Sequence, residues 1–205
     1  MKIVALRLCL VLAVAIAPGA SAQQLEQANG VFVIAKPSLE DPNFARTVVL
    51  VTQTTDASTV GVIVNRPTQV PLRELLPGVE SGANYREPVF FGGPVMPQAV
   101  VALFRSAEPP KASAFHVLRD LYLTMHPENI AQLLAKPGRQ FRLYAGFSAW
   151  APRQLEGELE RDGWYILPAD GAAVFRSDIE NLWPELVRKA EMRPACLGSC
   201  GRSWK

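Results

Sequence analysis

Thr47-Val-Val-Leu-Val-Thr52, the polar stretch through Asp56 to Thr59, and Val60-Gly-Val-Ile-Val64 together decide the fold. Val, Ile and Thr have branched Cβ atoms that are stiff at χ1 and suit a pleated strand. The polar link is far too short for a helical crossover, so the two runs pair as an antiparallel hairpin. Asn65-Arg66-Pro67 stops the second run, because Pro lacks the N–H that a ladder requires.

The same reading extends outward. Val31–Ala35, Val89–Phe91, Val100–Phe104, Phe115–Leu118, Leu121–Thr124, Gln140–Phe147 and Trp164–Leu167 are further short strands. Helices are fewer: a short one over Leu72–Leu76, and one opened by Pro127 with Ile130, Leu133 and Leu134 inward. Another spans Pro152 to Arg161, with Leu155 and Leu159 one turn apart. A capping box of Ser177 and Glu180 is expected to open the last helix, whose apolar face is Ile179, Leu182, Trp183, Leu186 and Val187. Pro184 is expected to bend it. Strands outnumber helices and turns join most of them, which defines an α+β class with a largely antiparallel sheet flanked by helices. Seventeen prolines in 205 residues agree with many short elements.

The amino terminus reads as a secretory signal. Lys2 and Arg7 are positive, Leu8 to Ala17 is apolar, and Ala20-Ser21-Ala22 offers small residues for cleavage before Gln23. The ten-residue apolar run is shorter than the roughly 20 residues that cross a bilayer, so no stable membrane anchor is expected. A misassigned start codon with a fortuitous apolar leader is the alternative. The expected layout is a signal over residues 1–22, one domain over 23–190, and a tail over 191–205. Such a protein is periplasmic or secreted.

Removing Lys2 and Arg7 takes the 21 Lys and Arg to 19, equal to the 19 Asp and Glu. A mature chain of zero net charge lacks the basic excess of a phosphate-backbone binder, so no nucleic-acid partner is expected. Cys196 and Cys200 remain, an even pair that favours a disulfide in an oxidising compartment. Their short loop limits its contribution to about 2 kcal/mol. Two unpaired thiols are the other bland reading, whereas a redox pair or half a metal site is weakened by the C-x3-C spacing and by distant His116 and His126.

Known catalytic patterns fail on inspection. Gly146-Phe-Ser148-Ala-Trp150 starts like a nucleophile elbow, but Trp replaces the last small residue and no His follows. Gly92-Gly93-Pro94 has neither the Lys-Ser/Thr of a P-loop nor a dinucleotide spacing, and reads as a tight turn. No metal motif is present, and no cofactor is expected.

Several phrases in order resemble the YqgE/AlgH family of bacterial proteins. They are Gly30-Val-Phe-Val-Ile-Ala-Lys-Pro-Ser38, Asp41-Pro-Asn-Phe44 with Arg46-Thr47, and Gly61-Val-Ile-Val-Asn65-Arg66-Pro67. Gly92-Gly93-Pro94-Val95, Tyr144-Ala-Gly146 through Trp150, Gln154-Leu155-Glu156-x-Glu158, Trp164 and Pro168-Ala-Asp170 complete the set. The resemblance implies a sheet curled into a partial barrel and no established activity. Some members carry a transcriptional-regulator label, and most look cytosolic. Here the leader, the tail from Cys196 to Lys205, and Ala149 in place of a second Gly depart from the pattern.

The candidate contact residues are Asn65, Arg66, Trp150, Gln154 and Glu158. Arg66 has the fork geometry to hold an anion or a carboxylate. Gln154 and Glu158 lie one helical turn apart, beside Trp150. The favoured function is a non-enzymatic binding or accessory protein with an unidentified protein or small-molecule partner. The alternative is an enzyme using Arg66, Glu156 and Glu158 in one cleft, and a regulator comes third.

Overall fold

The computed structural model describes residues 28–192 except 80, 81, 83, 84 and 137. Residues 1–22, the Ala22–Gln23 junction, Cys196 and Cys200 lie outside the described residues.

Among the described residues nine strands build one sheet: β1 (Val31–Ala35), β2 (Val48–Gln53), β3 (Thr59–Ile63), β4 (Phe90–Phe91), β5 (Val95–Arg105), β6 (Phe115–Leu118), β7 (Leu121–Thr124), β8 (Phe141–Trp150) and β9 (Trp164–Pro168). Five helices accompany them: α1 (Leu72–Leu75), α2 (Pro127–Ala135), α3 (Gln154–Glu160), α4 (Gly171–Val174) and α5 (Leu182–Glu191). The order is β6-β7-β5-β8-β3-β2-β1-β9, with β4 added alongside β8. Every neighbour on that path is antiparallel; only β4 runs parallel to β8.

The β2–β3 hairpin forms with Val51 opposite Gly61 and Val49 opposite Ile63. Its runs are apolar at successive positions because both faces of the sheet are covered. Phe32, Ile34, Leu50 and Val62 face one core with Leu182, Leu186 and Val187 of α5. Val33, Val49, Val51 and Ile63 face a second, closed by Leu155 of α3 with Trp150 and Trp164. A third, formed by Ala102, Phe104 and Leu143, packs beneath Ile130 and Leu133 of α2. Each fully buried aliphatic side chain contributes about 1.5–3 kcal/mol. The sheet also curls: Gly30, just before β1, donates its N–H to the Val117 carbonyl of β6 at 2.8 Å. Strands far apart in the order therefore meet, giving a partial barrel that stays open.

Gly146 (φ +68°) bends β8, and a Cβ there would lie 2.6 Å from the Gly93 carbonyl oxygen. No other residue tolerates that approach. The close crossing places Ser148 in mid-strand, fully buried, where its hydroxyl donates to the Gly92 carbonyl at 3.0 Å. Ser148 is a strand-bracing residue here.

Three local expectations need correction. The Ser177–Glu180 capping box does not form, since α5 begins at Leu182. Asn181 instead donates from Nδ2 to Asp178, and Arg176 binds Glu185, which holds the preceding segment as a turn. Pro184 then falls in the first helical turn, where no intrahelical bond is lost and no kink is required. Finally, α3 starts at Gln154 rather than Pro152, because Arg153 takes a left-handed conformation (φ +65°).

Candidate functional site

Trp150 ends β8, and after three intervening residues α3 carries Gln154 and Glu158 back over it. Glu158 Oε2 accepts the indole N–H of Trp150 at 3.1 Å and that of Trp164 at 2.9 Å. Its other oxygen accepts Gln154 Nε2 at 3.3 Å, and Gln154 Oε1 accepts the Ala151 N–H at 3.1 Å. Phe44 joins the rings, 5.7 Å from Trp150 and 5.4 Å from Trp164 between centroids. Such tilted and edge-on aromatic packing adds stabilisation beyond area burial.

The expected contact aromatic is therefore inside the protein. Trp150 is only 3% exposed and Trp164 only 4%. An indole buries large apolar area and leaves one donor to satisfy, and the Glu158 carboxylate satisfies two of them. Gln154 stays exposed and Glu158 half-buried.

Asn65 and Arg66 serve the neighbouring loop. Asn65 accepts the Val48 N–H at 2.8 Å and donates to the Arg46 carbonyl at 3.1 Å. Arg66 donates to the carbonyls of Asn43 at 2.7 Å and Ala45 at 2.9 Å, with Pro42 more distant at 3.4 Å. Carbonyls take the place of the carboxylate expected to pair with it. Burial lowers the Arg66 pKa, partly offset by the field of Asp41. The fork thus shapes residues 41–46 and presents Asp41 and Phe44 to α3.

Between that loop and α3 lies a cavity of about 300 Å³, lined by Asp41, Phe44, Glu158, Arg161 and Trp164, with Leu39 and Gly163. Arg66 and Glu156 do not line it, so the Arg66, Glu156 and Glu158 cleft of the enzyme reading is not assembled. Of the five described non-glycine residues with positive φ, Arg46 (59°) follows the 41–45 loop, and Arg153 (65°) and Asp162 (63°) flank α3, although none of them lines the cavity. Each such conformation costs about 1–3 kcal/mol, and strain of this kind gathers at functional surfaces. Asp162 is also held by Lys36, in an ion pair. Sequence reasoning missed Asp41 and Phe44 as site residues; the Asp41-Pro-Asn-Phe44 phrase in a proline-rich loop was the available signal.

A second polar feature was also missed. Arg142 of β8 is 6% exposed, with Nη1 donating to the Val174 carbonyl at 2.5 Å and Nη2 to the Arg176 carbonyl at 2.7 Å. Its guanidinium lies over Phe90, 4.7 Å from the centroid. An Arg at an inward position of an apolar strand was the signal. A larger groove of about 790 Å³ runs between α1 and residues 85–89, bordered by Tyr85 and Glu87. Among the described residues no group of three His, Cys, Asp or Glu could hold a metal, and no helix is long and apolar enough to cross a membrane.

An open, mostly antiparallel α+β sheet with an aromatic–carboxylate cluster beside α3 defines this class of protein. Residues 32–195 match the family described as AlgH-like (DUF179), and the chain belongs to that family. A UPF0301 protein of Thermobifida fusca is 35% identical over 172 residues, covering 78% of this chain and 86% of the relative. One from Myxococcus xanthus is 33% identical over 168 residues, covering 80% and 92%. The solution structure of the AlgH protein from Pseudomonas aeruginosa superposes with a TM-score of 0.64 at 24% identity, covering 87% of this chain and 94% of that one. A crystal structure of a Corynebacterium diphtheriae protein gives 0.62 at 27% identity, covering 83% and 90%. The partial-barrel expectation agrees with this likeness.

Proposed function

We infer that the protein is an exported, non-enzymatic binding or accessory protein whose contact face is the α3 cavity and its rim. The carrying observation is the cavity between Asp41 and Arg161, with the Glu158 carboxylate held rigidly at its wall. The exposed groups available to a partner are Asp41, Gln154 and Arg161, while Trp150 and Glu158 keep the face in shape. A rigid element presenting polar groups beside apolar rings suits recognition. The ordered positive, apolar and small-residue regions over Lys2 to Ala22 support export. A zero net charge after cleavage weighs against the regulator label.

Isolation from the native host tests both halves. Native mass spectrometry of the periplasmic fraction should find a chain beginning at Gln23 with a bound protein or small molecule. A cytosolic chain retaining Met1 would overturn the export half. A partner-free chain would overturn the binding half.

A further inference from the structure

A different face carries its own chemistry. Between α2 and the Pro109-Pro110 excursion lies a cavity of about 220 Å³. Phe104 and Leu133 contribute apolar atoms to its largely polar lining. Lys111, Lys136 and Arg139 stand around it, against one carboxylate, Glu108. None of these three cations joins an ion pair with a described residue. By contrast, Arg105, Arg142 and Arg176 all pair with carboxylates. Two adjacent prolines stiffen one wall, and Asn129 holds the other by donating to the carbonyls of Ala112 and Ser113 and to the Thr124 hydroxyl.

Exposed lysines ordinarily form a solvated face, and Lys136 and Arg139 also follow the carbonyl end of α2, where cations are favoured. That accounts for their sign. It does not account for Lys111, which comes from a separate loop to the same concavity. Three cations against one carboxylate concentrate anions, and the apolar atoms of Phe104 and Leu133 favour one that has a hydrocarbon body.

We propose that this cavity binds a small organic oxyanion, a carboxylate or phosphate monoester whose apolar body rests on Phe104 and Leu133. The site is independent of the α3 cavity.

Titration calorimetry of the full-length protein with phenyl phosphate, benzoate, inorganic phosphate, benzyl alcohol and benzylamine tests it. Phenyl phosphate or benzoate should bind saturably, inorganic phosphate more weakly, and benzyl alcohol and benzylamine not at all. The triple variant Lys111→Gln, Lys136→Gln, Arg139→Gln should keep its melting temperature and lose affinity about tenfold or more. Amide resonances of Gln132 and Leu133 should shift on binding. Absence of saturable binding, equal binding of benzylamine, or an unaffected triple variant overturns the proposal. Tighter binding of a short DNA duplex, lost in the triple variant, would overturn it in favour of a nucleic-acid surface.

Discussion

The indole N–H of Trp164 donates to Glu158 Oε2 at 2.9 Å, tying the first residue of β9 to the last turn of α3. Trp150 reaches the same oxygen from the end of β8, so one carboxylate joins three elements. Its removal leaves two indole donors without a partner. A stranded buried donor costs about 1–3 kcal/mol, so Glu158→Ala should destabilise by about 2–4 kcal/mol. Gln154→Ala, which loses only exposed contacts, should cost under about 1 kcal/mol. Urea unfolding followed by tryptophan fluorescence measures both, and equal small losses would contradict the reading.

Arg66 holds the carbonyls of Pro42, Asn43 and Ala45 in one loop with one planar fork. Lys has the charge without the fork. Arg66→Lys should therefore speed amide exchange at Asn43 to Thr47 and lower stability by about 1–2 kcal/mol. Unchanged exchange in that loop would show that the carbonyl contacts are incidental.

Arg142→Met keeps the volume but removes the donors to Val174 and Arg176 at the end of α4. Breaking a buried charged network typically costs about 3–5 kcal/mol. Thermal denaturation should show a loss of that order, and a neutral or stabilising effect would mean that packing over Phe90 outweighs the hydrogen bonds.

Alkali gives a separate test. Burial pushes the Tyr85 hydroxyl up to about 12 and raises Tyr144 further in the same direction, from an ordinary value of 10.0. Below pH 10 both are protonated in folded and unfolded chains, and stability does not depend on them. Above it the unfolded chain loses protons first, so stability falls as pH rises from 10 toward 12. Tyrosinate absorbance, compared between the unaltered protein and the Tyr85→Phe and Tyr144→Phe variants, should show Tyr85 and Tyr144 ionising well above the ordinary value. Ionisation of either near pH 10 in the folded protein would contradict this.

Much of the fold was legible in local pattern. Val31–Ala35, Phe115–Leu118 and Leu121–Thr124 are bounded by turn residues, and the strands there match residue for residue. Pro127 likewise marks the first residue of α2. The misplaced features depend on distant partners. Whether Trp150 faces water is decided by Phe44, a hundred residues earlier, and by Glu158 on the next helix. Arg66 was read against carboxylates because side-chain charges are visible in a sequence, whereas the carbonyls of Asn43 and Ala45 acquire their aim only from the folded loop. The start of α5 was read from Ser177 and Glu180, but Asp178 and Asn181 bond to each other and delay it.

The central claim is that the α3 face binds through its rim while Glu158 and the tryptophans maintain its shape. Asp41 accepts the Asn43 N–H at 2.8 Å, a bond that Asn preserves, and Arg161 is exposed. The double variant Asp41→Asn, Arg161→Gln therefore changes the rim charges and little else. The decisive measurement is retention of whatever partner co-purifies with the unaltered protein from its native host, by this variant at matched melting temperature. The account predicts loss of the partner with the melting temperature unchanged. Undiminished retention by the folded variant would contradict it.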